Sequence, residues 1–282
     1  MKNIFVIGTG TMGLDIAQVF STFGYNVHMF GRTPESTGRA AAKLAKGLNK
    51  RVERGKMERE KADAIIAGIT FTNTYDDAKD ADLVIEAIIE NVDLKKILFR
   101  TLEGICPENT IFATNTSSIS ITEIASATNR PDKFIGMHFF NPATVMKLVE
   151  LIRGMHTSDE TFNAIRELSV AIGKDPVEVA EAPGFVVNRL LIPMINEACE
   201  IVQNGIASPA DVDKAMQLGC NHPMGPLHLG DLIGWDVVLN IMDVLYNETH
   251  DSKYRANVLI RKMVRAGKLG IKTGEGFFKY GK

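Results

Sequence analysis

Three observations place this chain in the α/β class, with a doubly wound, mainly parallel sheet followed by an all-helical region. Short apolar runs alternate with helical stretches up to about residue 183, and the first of those runs ends in a glycine-rich turn. Beyond Ala182-Pro183-Gly184 nothing reads as a strand before the last few residues. Alternating strands and helices favour parallel pairing, because each return crossover is a helix that covers one face of the sheet.

Taken in order, NIFVIGTGTMG (residues 3 to 13) is a buried strand running into the glycine-rich turn, and LDIAQVFSTFG continues it as a helix. YNVHMFGR supplies a second short strand. An insertion follows at about residues 35–66, where helical periodicity twice recurs and Arg54-Gly55 marks the turn of a helical hairpin. Further apolar runs lie at 82–89, 110–114, 134–140 and 147–152. Past the boundary, Phe185 to Gln203 is a long apolar-periodic helix. Ser208-Pro209 caps a short one ending near Leu218, and the stretches 227–246 and 256–266 supply two more. The expected organisation is a sheet domain over 1–183 and a helical domain over 184–282.

With 45% hydrophobic and 23% charged residues, the composition is that of an ordinary globular protein. Its 32 Lys+Arg against 34 Asp+Glu give no global electrostatic reason to bind nucleic acid or an anionic membrane. Cys106, Cys199 and Cys220 are far apart without CxxC spacing, so they read as reduced thiols. No signal peptide, transit peptide or membrane span is expected, and the cytoplasm is the expected location. The histidines are too dispersed for metal-ligand spacing, and no metal is expected.

Gly8-Thr9-Gly10-Thr11-Met12-Gly13 matches G-x-G-x-x-G between a strand and a helix. In that context the glycines allow the tight turn, the close approach of backbone to a pyrophosphate and the packing of helix on strand, while the helix N-terminus offers N–H donors. This makes the sheet Rossmann-like and gives it a dinucleotide. Asn115, Ser117, His138, Asn141 and Glu150 fall at or just beyond the ends of strand-like runs, where open α/β sheets bind ligands. A carboxylate behind an imidazole fixes its tautomer and stabilises its protonated form, so His138 and Glu150 are read as an acid–base pair. In the hairpin, residues 38 to 61 hold nine Lys/Arg against three Glu, which is either a solvated face or a dock for a large polyanion.

GTGTMG, VIEAIIEN, NTSSISI, GMHFFNP, APGFVVNRLLIP, NHPMGPLHLGDLIG and KTGEGFFKY, in that order, resemble the 3-hydroxyacyl-CoA dehydrogenase family across essentially the whole chain. The resemblance implies a short-chain enzyme that moves hydride between NAD(P)H and C3 of acetoacetyl-CoA, working as a homodimer through the helical domain. It implies His138 as proton donor and acceptor, Glu150 as its partner, Ser117 as a hydrogen-bond donor to the substrate oxygen and Asn188 as a contact to the substrate's reacting end. Asn141 falls beside the nicotinamide, Glu90 and Lys95 face cofactor and substrate, and Lys272 is another cofactor contact. Coenzyme A falls near Lys50, Arg54 and Gly47, where glycine replaces the family's hydroxyl side chain. The alternatives are a β-hydroxyacid dehydrogenase acting on free acids, typically with a lysine as acid, and a non-catalytic dinucleotide-binding protein.

One position departs from the pattern. NAD-binding folds place Asp or Glu at the end of the second strand, about 20 residues past the glycine motif, to bind the adenine ribose hydroxyls. Here the residue is Gly31, followed by Arg32 and Thr33. A carboxylate that would repel a 2′-phosphate is missing and a cation that attracts one is present, so NADP is favoured over NAD.

Overall fold

The computed structural model describes residues 1–281. The chain forms two compact units, Met1–Glu181 and Ala182–Lys282. The first holds one eight-stranded sheet: β1 (Asn3–Ile7), β2 (Asn26–Phe30), β3 (Ile69–Thr72), β4 (Leu83–Glu86), β5 (Ile111–Thr114), β6 (Phe134–Phe139), β7 (Leu148–Arg153) and β8 (Asp175–Ala180). Their spatial order is β3-β2-β1-β4-β5-β6-β7-β8. All pairings are parallel except β6 with β7.

Central strands of such a sheet are covered on both faces, which is why β4 and β5 are buried at every residue and read as continuous apolar runs. The sequence patterns did not reveal β3 and β8, the two edges. An edge strand buries little, and β8 (DPVEVA) has one buried residue and a proline, both compatible with an edge. The order reverses between β1 and β4, so the crevice at their carboxyl ends is the switch point where α/β sheets receive ligands.

Helix α1 (Thr11–Thr22) packs Leu14, Ile16, Ala17, Val19 and Phe20 into the main core. The hairpin comprises α2 (Pro34–Glu53) and α3 (Arg59–Ala67), with Gly55 at φ 65° in the turn between them. Thr33 starts α2 by accepting from the Ser36 N–H, and Pro34 fills the first turn. Leu44 and Leu48 bury the hairpin's apolar stripe in the same core, and Ser21 on α1 donates to the Ile65 carbonyl at 2.7 Å. The unit is completed by α4 (Val92–Glu103), α5 (Ile121–Ala125) and α6 (Asp159–Ala171).

β4 ends in Glu86, which has no exposed surface. Its carboxylate accepts from Lys95 Nζ on α4 at 2.6 Å, from the Ile88 N–H at 2.6 Å and from Thr114 Oγ1 on β5 at 2.7 Å. Both oxygens are thus engaged, as a charge removed from water requires.

The second unit is helical: α7 (Val187–Gln203), α8 (Pro209–Cys220), α9 (Pro226–Ile233), α10 (Trp235–Thr249) and α11 (Val258–Arg265). The expected single helix over 227–246 is two. Gly234 adopts φ 101°, outside any helix, while the apolar pattern runs on through the break. Trp235, fully buried, donates Nε1 to Asp231 Oδ1 at 2.5 Å. Asp231 also accepts from the Phe277 and Phe278 N–H groups and from the Tyr280 hydroxyl, tying the C-terminal residues to α9. Among the described residues, no helix is long and apolar enough to cross a membrane.

Two outcomes are expected. Burial pushes the Cys106 thiol up to about 11 and raises that of buried Cys199 as well, while Cys220 is exposed. A disulfide reagent at pH 8 should therefore titrate one thiol rapidly in the native protein and three in denaturant; a second fast thiol would contradict the packing. Glu86→Ala should lower the unfolding free energy of the first unit in urea by roughly 1–3 kcal/mol, because the Ile88 N–H and the Thr114 hydroxyl lose a buried acceptor and Lys95 keeps only Glu90. Adding Lys95→Met should recover part of that loss.

Candidate active site

The glycine-rich turn divides its labour by space. Gly8, at φ 115°, would place a Cβ 2.4 Å from the Ala87 carbonyl oxygen, and a Cβ at Gly13 would lie 1.9 Å from the Gly8 oxygen. These two glycines let the turn close against the end of β4. Around Gly10, by contrast, nothing lies within 4 Å of where a side chain would start. Gly10 is the N-cap of α1 and no side chain caps the helix there. Open space facing an uncapped helix N-terminus fits the pyrophosphate of a dinucleotide. Thr11 is exposed at this end, while Met12 packs against the core. From α2, Lys43 Nζ reaches Thr11 Oγ1 at 3.3 Å.

At the end of β2, Gly31 is buried. A Cβ there would meet Ser36 Oγ, Thr37 Cγ2 and Thr9 Cγ2, each at 2.7 Å. The missing acid is thus a matter of room as well as charge. Thr33 Oγ1 accepts from the Ser36 N–H at 3.3 Å, the Ser36 hydroxyl donates to the Thr33 carbonyl at 2.7 Å, and Arg32 is exposed.

His138 and Glu150 stand directly opposite one another in the antiparallel register of β6 and β7. His138 Nδ1 and Glu150 Oε2 are 2.8 Å apart, and both residues are buried. A carboxylate only accepts, so Nδ1 carries the hydrogen and Nε2 is the nitrogen that can exchange a proton. The Phe140 ring lies 4.5 Å from the imidazole, centre to centre. Asn115 Oδ1 accepts from the Phe139 N–H at 2.8 Å, fixing β6 beside the end of β5.

Beyond β6, Asn141 is exposed and its bond to Pro142 is cis. The loop is held by two charged side chains. Asp15, on α1, accepts from the Ala143 N–H at 3.1 Å; Lys174, buried, donates to the Ala143 and Met146 carbonyls at 2.5 and 2.7 Å. Desolvation raises the Asp15 carboxyl and lowers the Lys174 ammonium from their ordinary values.

Ser117 sits on the loop after β5, which Glu90 organises. Glu90 accepts from the Thr116 hydroxyl at 3.0 Å and from the Ser117 N–H at 2.6 Å. Behind it stands Lys95, 3.3 Å from Glu90 and 2.6 Å from Glu86. Lys95, read from the sequence as facing cofactor and substrate, meets both carboxylates here with a side chain 1% exposed.

Lys50 and Arg54 are exposed at the far end of α2, and at Gly47 a side chain would have open space. Asn188 and Lys272 belong to the second unit. Asn188 is buried in the first turn of α7, and Lys272 donates to Asp236 Oδ1 at 2.5 Å. Among the described residues no group of His, Cys, Asp and Glu could hold a metal ion.

Sequence reasoning missed Glu86, Thr114, Thr116, Asp15, Lys174 and Lys43. A signal existed for Glu86, since a lone carboxylate inside DLVIEAII requires a buried partner. Asp15 and Lys174 give none, because each acts across a distance in sequence that no local pattern records, and Lys43 stood out only as one of the nine basic residues of 38–61.

Comparison with known proteins agrees with this geometry. Residues 3–182 match the family described as "3-hydroxyacyl-CoA dehydrogenase, NAD binding domain", and residues 184–280 match "3-hydroxyacyl-CoA dehydrogenase, C-terminal domain". The chain is 55% identical over 277 residues to 3-hydroxybutyryl-CoA dehydrogenase of Clostridioides difficile, covering 98% of this chain and 99% of that one. It is 41% identical over 287 residues to mitochondrial hydroxyacyl-coenzyme A dehydrogenase of Homo sapiens, covering 99% and 91%. The crystal structure of (S)-3-hydroxybutyryl-CoA dehydrogenase PaaH1 from Ralstonia eutropha superposes with a TM-score of 0.96 at 48% identity, with all of both chains covered. With both of its units matched, a glycine turn built for a nicotinamide dinucleotide and a buried His–Glu pair, the chain belongs to the 3-hydroxyacyl-CoA dehydrogenase family, oxidoreductases acting on CH–OH groups.

Proposed function

We propose that this enzyme interconverts acetoacetyl-CoA and 3-hydroxybutyryl-CoA with NADP(H) as its preferred cofactor. The observation that carries the reading is the His138–Glu150 pair, 2.8 Å apart at the carboxyl end of the sheet. When bound, the reduced nicotinamide supplies the hydride that C3 of the thioester receives. In reduction His138 gives a proton from Nε2 to the oxygen on C3, and in oxidation it takes that proton back. Glu150 keeps the ring in the tautomer that allows this and stabilises the imidazolium between turnovers. Ser117 hydrogen-bonds the same oxygen, and Asn188 contacts the substrate's reacting end.

Gly8, Gly10, Thr11, Met12 and Gly13 hold the cofactor's pyrophosphate. Glu90, Asn115 and Asn141 serve the nicotinamide side, with Lys272 a further cofactor contact. Lys50 and Arg54 take the phosphates of coenzyme A, for which charge-assisted hydrogen bonds are the natural contact. Preference for NADP rests on Gly31, which lacks both a carboxylate and space for a Cβ, and on the exposed guanidinium of Arg32 beside the Thr33 hydroxyl. The enzyme is read as a cytoplasmic homodimer joined through its helical unit, where Leu190, Ile206 and Leu218 are each more than 70% exposed.

His138→Gln should lower kcat with acetoacetyl-CoA by about 10² to 10⁴-fold while dinucleotide affinity stays within about twofold; a variant with wild-type kcat would remove His138 from the chemistry. On the cofactor, kcat/KM should favour NADPH. Arg32→Ala should cut the NADPH value by about tenfold and leave the NADH value nearly unchanged. Gly31→Asp should also penalise NADPH, with a lowered melting temperature because Ser36 and Thr37 must move. A native preference for NADH would refute the assignment.

A further inference from the structure

Helix α2 presents Arg39, Lys43, Lys46, Lys50 and Arg54 at spacings of four, three, four and four residues, one row along a single face. Like charges so spaced repel one another, and an anion lying along the row relieves the repulsion. The far end of the row, at Lys50 and Arg54, is the end proposed for coenzyme A. The near end has no assigned partner, yet Lys43 is the member whose ammonium crosses to α1 and meets Thr11 Oγ1 at 3.3 Å.

We infer that Lys43 is a cofactor-binding residue, contacting the pyrophosphate of the dinucleotide in either its NADH or its NADPH form. Thr11 is the first residue of α1, whose N-terminus lacks a side-chain cap and faces the open space at Gly10. Those N–H groups supply only partial charges; an ammonium at the same place adds a full one. One turn along α1 stands Asp15, whose carboxyl the Lys43 charge helps to hold down against the rise that desolvation causes. Its carboxylate is already engaged by the Ala143 N–H and lies near Lys174. Thr11, whose hydroxyl is neutral, therefore holds Lys43 in reach of the phosphates without neutralising it. The division of roles follows: Lys43 acts on every dinucleotide that carries a pyrophosphate, whereas Arg32 acts only on one that carries a 2′-phosphate.

The inference rests on the nicotinamide dinucleotide and not on the acyl-CoA or the NADP preference, so its test uses binding alone. Isothermal titration of Lys43→Ala and Lys43→Gln with NADH, NADPH and ADP-ribose, in the absence of acyl-CoA, should show dissociation constants raised about tenfold for all three. Lys43→Arg should retain most of the affinity. The salt dependence of ADP-ribose binding should be shallower in the neutral variants, since one counter-charge is gone. If Lys43 merely fastens α2 to α1, the neutral variants would melt lower but bind all three ligands as the wild type does, and the inference falls. A loss confined to NADPH would overturn it as well, by moving Lys43 to the 2′-phosphate. Neither result depends on which acyl thioester the enzyme reduces.

Discussion

A carboxylate sealed from water at the end of the central strand organises the catalytic edge of the sheet. Glu86 has no exposed surface, and its charge must be answered within hydrogen-bond distance. The answer is Lys95 from α4, which joins Glu86 to Glu90, and Glu90 in turn fixes the Thr116 hydroxyl and the Ser117 N–H. Thr114 closes the arrangement from β5. Four consecutive pieces of the fold, β4, α4, β5 and the loop that bears Ser117, are thereby set by one buried ion pair. The same strand end supplies the Ala87 carbonyl against which Gly8 closes, so the glycine turn and the Ser117 loop share one foundation. Packing alone would tolerate small displacements here; a desolvated charge tolerates fewer, because each lost contact leaves a buried ion unpaired.

The second constraint is a reversal of direction. The strands from β3 through β6 run one way, and β7 and β8 run the other, so the sheet turns over at the β6–β7 pair. In an antiparallel pair, residues meet face to face, which sets Glu150 opposite His138 rather than obliquely beside it. Register is strict in such a pair, since a slip of one residue would send Glu150 to the other face of the sheet. Both strands are buried on both faces, so what a slip would forfeit is the His138–Glu150 pair itself. Asp15 and Lys174 then hold the loop that follows His138 by its backbone, using charges on α1 and next to β8.

The cofactor end shows how space and charge act together. At Gly10 and Gly47 a side chain would have open room; at Gly31 it would collide with Ser36, Thr37 and Thr9. A side chain at position 31 would require Ser36, Thr37 and Thr9 to shift at the α2 N-terminus, where Thr33 and Ser36 cap each other. A local sequence difference has become a property of the surrounding shell.

Much of this was legible in the sequence. The period of the apolar runs and the placement of glycine and proline determined the α/β class, the hairpin turn at Arg54-Gly55 and the change to helices near residue 183, because these are local consequences of backbone and burial. The G-x-G-x-x-G turn, His138 and Gly31 were legible for the same reason, since each sits at or near the end of a recognisable strand, and Glu150 stood out as a carboxylate inside an apolar run. The edge strands β3 and β8 were not, since an edge buries too little to leave a pattern, and the break at Gly234 was hidden by apolar residues continuing on both sides. Only the tertiary structure decided that Lys95 bridges Glu86 and Glu90, that Lys174 holds the Ala143 loop by its carbonyls, and that Lys43 reaches Thr11. Sequence writes down which groups are available along the chain; which of them meet depends on strand order, register and the expense of leaving a buried charge alone, and those are settled only when distant segments pack.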